Sequence, residues 1–206
     1  MKLNHFIDTN KGLTCIVILL LMGYYRQWDN PTAWVYLALH GSYGLLWVIK
    51  TRLFPDANWV RPTSLWFGLV SWSALMLYWI PAWLLTSRGI QAPAWILALS
   101  IVLFTFGNFF HFTSDMQKFV QLRFAPGELI TGGFLGLSRN INYFGEFLTY
   151  AAFALLPLTW LAFLPLLLFI LTFWIPSILK KERILASLPG YAEYRKRVKT
   201  FFPFLF

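Results

Sequence analysis

The chain is predicted to be an all-α integral membrane protein, a bundle of about six transmembrane helices with a cytoplasmic C-terminal helical tail. Three observations predict this. Of its 206 residues 58% are hydrophobic and only 12% charged, too few charges to cover a soluble surface; the mean hydropathy is +0.60. The apolar residues gather in long runs without internal charge, each close to the ~20 residues that cross a hydrocarbon core. The basic residues, finally, concentrate on alternate connecting segments.

Four runs come first, at 12–25, 32–49, 64–85 and 92–112. The first is short and can extend into its flanks. A polar segment, 113–139, precedes one apolar block at 142–176 that Pro157 and Pro165 interrupt. Proline breaks a helix and fixes a bend, so the block reads as a hairpin of two short spans turning near 156–159. The tail KKERILASLPGYAEYRKRVKTFFPFLF is too polar to span. Ile184, Leu185 and Leu188 form a short amphipathic face, PG breaks it, and YAEYRKRV restarts a helix. Such a basic, aromatic tail suits an interfacial anchor on anionic lipid. The whole, 1–206, is expected to be a single membrane domain, with four N-terminal spans over 12–112 and a ligand-binding half over 113–206.

The net charge of +9 is dispersed among apolar spans, which argues against nucleic-acid binding. With the C-terminus inside, the inner segments hold Lys2, Lys11, Lys50, Arg52, Arg61, Lys118, Arg123, Arg139 and the tail. The outer ones hold only Arg26 and Arg88. That bias puts both termini in the cytoplasm, in a bacterial inner membrane or the endoplasmic reticulum. No small-residue cleavage site follows the first run, so that span is expected to be retained. The single cysteine, Cys15, excludes an intrachain disulfide.

Two polar clusters carry the candidate chemistry. In SRNINYFGE, helical spacing puts Arg139, Asn142, Glu146 and Thr149 on one face, opposite Phe144, Phe147 and Leu148. Ionisable groups entering a bilayer face the bundle interior or a water-filled cavity. The face is therefore either a polar pocket at the cytoplasmic mouth or an Arg139–Glu146 pair tying helices together. In FHFTSDMQKFVQLRFAPGELITGG, Ser114, Asp115, Lys118 and Arg123 recur at helical spacing near His111. One acid among several bases suits a phosphate-rich, ribose-bearing ligand: Lys and Arg clamp phosphate, and Asp accepts from sugar hydroxyls or an amide. PGELITGG reads as a turn and extended loop in which Gly132 and Gly133 permit close approach. Neither GxGxxG nor GxxxxGK[ST] is present. His5, His40 and His111 lie on separate segments without metal-ligand spacing. His40 and Tyr43 share one side of the second span, where they line a helix interface or hydrogen-bond a substrate oxygen.

Taken in order, SDMQKFVQLRFAPGELITGG, SRNINYFGE and the terminal FPFLF resemble the C-terminal region of steroid 5α-reductases and the related DUF1295 membrane proteins. The resemblance runs from about residue 111 to 206. The wider superfamily also holds sterol C14 and Δ7 reductases and isoprenylcysteine carboxyl methyltransferases. By resemblance, Asp115, Arg123, Asn142 and Glu146 are expected to contact NADPH, with Arg139, Arg183 and Tyr194 as further contacts. Methyltransferase relatives more often read RHPxYxG without the following acid and use S-adenosylmethionine, so Glu146 favours the reductase. The substrate-side glutamate of the 5α-reductases has no counterpart, which leaves Tyr43 and His40 as candidate catalytic donors. The resemblance thus implies an NADPH-dependent reductase of a conjugated double bond in a lipophilic steroid-, isoprenoid- or fatty-acyl-like substrate. A membrane methyltransferase using S-adenosylmethionine is the alternative, and a non-catalytic membrane scaffold the third reading. The expected partners are a lipophilic small molecule and membrane lipid.

Overall fold

Helix starts and stops follow local chemistry closely in a computed structural model that describes residues 1–203. The last three residues of FPFLF, and that part of the resemblance, lie outside the described residues. The helices are α1 (Leu3–Tyr24), α2 (Pro31–Leu53), α3 (Leu65–Ser87), α4 (Ala94–Phe124), α5 (Ile141–Leu155), α6 (Trp160–Leu185) and α7 (Tyr191–Arg197). Five of them, α1 to α4 and α6, are long and apolar enough to cross a membrane. The expected hairpin is present, turning at Pro157 and at Leu158, whose φ is +52°. Its first arm, α5, has 15 residues, about 22 Å of helix at 1.5 Å per residue. That is short of the hydrocarbon thickness, so the described residues hold five candidate spans beside the six expected.

Two boundaries correct the sequence reading. α1 begins at Leu3, not at residue 12. Its first amides need no side-chain cap, because Leu3 N donates to Arg61 O (3.3 Å) and Asn4 N to Trp59 O (2.8 Å), which satisfies orphan helix donors. Lys11 therefore sits inside the helix, 4% exposed, and Lys50 is likewise buried in α2; neither belongs to a flanking loop. The second correction is α4, which runs on to Phe124 because no Gly or Pro interrupts it between Gly107 and Pro126. Asp115 is thus well inside a helix instead of at its end.

Three spans are locally irregular. In α2, Asn30 caps the helix by accepting from Thr32 N (3.0 Å) with Pro31 in the first turn. Residues Leu37–Gly41 then widen into a π turn that holds His40. α3 tightens into a 3₁₀ turn at Met76–Trp79, ahead of Pro81. α6 widens at Ile170–Trp174, ahead of Pro176. A proline cannot donate to the preceding turn, and the ladder around it shifts to a tighter or wider hydrogen-bond step.

The chain divides into two compact units, 1–104 with 150–165 and 105–149 with 166–206. In the first, α1 and α2 approach closely at Gly44, where a Cβ would meet Lys11 O at 2.2 Å. Its core includes Ile18, Met22, Tyr36, Tyr43, Leu85, Phe153 and Leu156. In the second, α4 and α5 meet backbone to backbone, and the tail packs Tyr191, Tyr194 and Val198 against Leu129 and Leu185. Large apolar side chains also point outward, among them Trp66 (77% exposed), Phe67 and Val70 on α3 and Leu164, Leu167 and Leu171 on α6. An apolar exterior of this kind is the surface a lipid solvent requires.

Candidate functional site

The polar centre of the second unit is assembled by a contact that admits no side chain. Gly107 of α4 and Gly145 of α5 face each other, and a Cβ on Gly145 would lie 2.5 Å from His111 N and 2.6 Å from Gly107 O. This closeness lets His111 Nδ1 donate to Asn142 O across 3.2 Å, so Nδ1 carries the proton. On the same face of α4, Asp115 Oδ2 stands 3.7 Å from His111 Nε2, and Asp115 Oδ1 is 2.6 Å from Lys118 Nζ. Asn142 follows on the first turn of α5. Its Oδ1 is buried and accepts no hydrogen bond from the described residues. Glu146 lies one turn later on that face, half-buried. Asp115 and Asn142, selected from sequence on separate segments, are thus joined through His111.

The loop after α4 is pinned back onto that helix through Gln117. Gln117 Nε2 donates to Gly132 O (2.9 Å), and its Oε1 accepts from Phe134 N (2.9 Å). Gly133 has φ +59°, and a Cβ there would strike the Gln117 amide at 2.7 Å. The expected turn-and-loop reading of PGELITGG matches this geometry. Arg123, in the last turn of α4, is exposed and takes no part in the Asp115–His111–Lys118 contacts.

Ser138, Arg139 and Asn140 do something the spacing did not suggest. They precede α5 in a turn and hold the tail. Arg139 is 5% exposed and does not pair with Glu146; it is bonded to Glu182. Nε donates to both Glu182 oxygens (3.1 Å each), and one terminal nitrogen to Glu182 Oε2 (2.9 Å) and Thr200 Oγ1 (2.7 Å). The other donates to Arg195 O (3.3 Å) and to Val198 O. All five guanidinium N–H groups are thereby engaged by the protein. Lys181 Nζ donates to Arg139 O (2.7 Å), Ser138 Oγ to Phe201 O (2.8 Å) and Asn140 Nδ2 to Thr200 O (2.9 Å). Tyr191 OH donates to Glu182, and Tyr194 OH to Leu135 O (2.7 Å). Glu182 and Lys181 were not singled out from the sequence. The available signal was an acid inside the otherwise basic KKER run that follows the last apolar block.

Burial pushes the Tyr194 phenol up to about 12, and burial with the Glu182 bond also raises that of Tyr191. Above pH ~10 an unfolded chain loses phenolic protons that the docked tail keeps. The tyrosine contribution to docking is therefore fully present below that pH and is lost as pH rises toward 12. Protease sensitivity of the tail in a pH series is expected to climb over that window and not between pH 7 and 9.

Arg183 is exposed at the rim of a groove of about 310 Å³ beside the Arg139–Glu182 pair. His40 and Tyr43 belong to the first unit. His40 Nδ1 shares a hydrogen bond with Tyr36 OH (2.9 Å), and its ring stacks on Phe153 at 4.2 Å. Tyr43 lies edge-on to Tyr150, at 5.7 Å. Sequence reasoning missed the centre of this cluster. Lys11 Nζ stands 5.0 to 5.4 Å from the rings of Tyr43, Trp47, Tyr78 and Tyr150 and donates to Tyr150 OH. Cation–π attraction strengthens when the charge is desolvated. The polar spacing of Asp8, Lys11 and Thr14 was the available signal, hidden by starting the first span at residue 12.

Among the described residues no group of three or more His, Cys, Asp or Glu could hold a metal ion. In comparisons with known proteins, the family described as protein of unknown function, DUF1295, matches residues 57–198. Comparison with curated proteins returns no match.

Proposed function

The chain belongs to the DUF1295 family, and from that premise we propose that it is a membrane-embedded, NADPH-dependent reductase of a conjugated double bond in a lipophilic substrate. The observation that carries this reading is the joined face of Asp115, His111 and Lys118 on α4 with Asn142 and Glu146 on α5. It offers carboxylates, an amide and a cation at one place in an apolar bundle. The fit to a nicotinamide cofactor rests on Asn142 Oδ1, a buried acceptor with no hydrogen bond from the described residues, which would take a carboxamide N–H. Asp115 would accept from a ribose hydroxyl, and Lys118, with Arg123 further along α4, would face phosphate. When bound, the cofactor supplies hydride. Glu146 would orient the carboxamide as an acceptor, without giving up a proton. Arg139, whose donors the tail occupies, acts by position: it fixes the turn from which Asn142 enters α5.

On the substrate side, reduction of a conjugated carbonyl compound builds negative charge on oxygen, and a preorganised donor lowers that barrier most effectively where water is excluded. We assign that donor to Tyr43 in the polar core it shares with Lys11 and Tyr150. His40, already bonded to Tyr36 and stacked on Phe153, is placed to support the core. The test is NADPH oxidation by the reconstituted protein with a long-chain α,β-unsaturated ketone against its saturated analogue. Turnover is expected with the first alone. Glu146→Gln and Asp115→Asn are expected to lower kcat/KM roughly ten- to hundredfold, the worth of a hydrogen bond to a charged group. Transfer of labelled methyl from S-adenosylmethionine with no NADPH oxidation would establish the methyltransferase instead.

A further inference from the structure

The groove between α6 and α7 has an apolar wall that the cofactor reading does not use. Its apolar wall is Ile178 and Leu179 near the end of α6 and Ala186 just past it. Leu179 is 52% exposed although it lies within a helix whose apolar composition suits a membrane span. The floor is the Arg139–Glu182 pair, whose charges cancel. On the rim stand Arg183 and Arg195, two exposed guanidinium groups that make no ion pair among the described residues. Lys180, Lys196 and Arg197, neighbours in sequence of the lining residues, are also exposed. A cavity that is apolar toward the span and doubly cationic toward its end matches a molecule with the same polarity.

We propose that this groove binds one anionic phospholipid. Its phosphate lies against Arg183 and Arg195, and the start of an acyl chain lies along Ile178 and Leu179. Planar guanidinium groups match phosphate oxygens in pairs, and basic residues at the end of a span select anionic over zwitterionic lipid electrostatically. A soluble phosphate compound would use the arginines but leave the Leu179 wall in water. The Arg139 clamp forms the floor, so an occupied groove would brace the tail in its docked position.

The full-length protein in detergent is titrated with phosphatidylglycerol and with phosphatidylcholine of the same acyl chains, and retained lipid is counted by native mass spectrometry. Wild type is expected to keep one phosphatidylglycerol in preference to phosphatidylcholine. Arg183→Ala/Arg195→Ala is expected to lower that preference roughly thirtyfold. Arg88→Ala, a charge loss elsewhere, is expected to leave it intact. Should the double alanine variant not fold, Arg183→Gln/Arg195→Gln is used, and unchanged melting temperature certifies it. A preference that survives loss of both arginines overturns the proposal. So does displacement of the lipid, one for one, by millimolar inorganic phosphate or by NADPH, which would give the groove to a soluble phosphate. Stabilisation by NADPH is measured on Arg195→Ala alone, a residue outside the expected cofactor contacts, and is expected to persist, which keeps this inference separable from the reductase reading.

Discussion

Gly145→Ala is expected to disrupt the second unit more than any other single methyl group. The added Cβ would lie 2.5 Å from His111 N, 2.6 Å from Gly107 O and 3.0 Å from His111 Cα. All three are backbone atoms of α4, so no side chain can swing aside. The helices must part, and the Asn142 O–His111 hydrogen bond is lost with the contact. Overpacking costs about 1–3 kcal/mol where neighbours can adjust, and more where they cannot; roughly 3 kcal/mol or more is expected here. Unfolding in detergent measures it. Gly132→Ala is the matched control: nothing lies within 4 Å of its Cβ and its φ is −104°, so stability is expected to hold. Gly145→Ala is also expected to abolish cofactor stabilisation, because Asp115 and Asn142 sit on the two helices being separated.

Arg139→Ala carries the second large effect. It strips Glu182 of its bidentate partner and leaves the carbonyls of Arg195 and Val198 and the Thr200 hydroxyl without their donor. Breaking a buried pair from one side costs about 3–5 kcal/mol, since the remaining charge stays poorly compensated. The loss falls on tail docking. Residues 191–201 are therefore expected to become protease-sensitive under conditions where the helices of the first unit stay protected. Arg139→Lys brings three donors in place of five and a different geometry, so an intermediate release is expected. A tail equally protected in wild type and Arg139→Ala would contradict the clamp.

Much of the fold was legible because lipid-facing helices need long apolar runs, and those at 32–49 and 64–85 coincide with α2 and α3. The hairpin turn was legible from Pro157, and the broken tail helix from PG. The ends were less so. α1 is capped by the backbone of residues 59–61, a partner no local pattern announces, and that hid Lys11 inside a span. Asp115 and Asn142 were singled out because polar residues beside apolar runs are conspicuous. Of the two readings of the Arg139–Glu146 face, the helix-tying pair is not the one seen, because helical spacing was extended one turn too early. Arg139 sits before α5, and Glu182 lies 43 residues away in sequence. Periodicity also fails at Leu37–Gly41, where the π turn inserts a residue and rotates the C-terminal part of α2 relative to its first turns.

The central claim, that the Asp115–Asn142–Glu146 face holds a nicotinamide cofactor, is tested most directly by the melting temperature of the purified chain with NADPH and, separately, with S-adenosylmethionine. At a hundredfold excess over Kd, a ligand of the native state adds about 2.7 kcal/mol and raises the melting temperature of a protein this size by about 5–10 °C. NADPH is expected to give that shift, S-adenosylmethionine none, and Glu146→Gln is expected to remove most of it. A shift with S-adenosylmethionine alone, or an NADPH shift unchanged in Glu146→Gln and Asp115→Asn, would contradict the account.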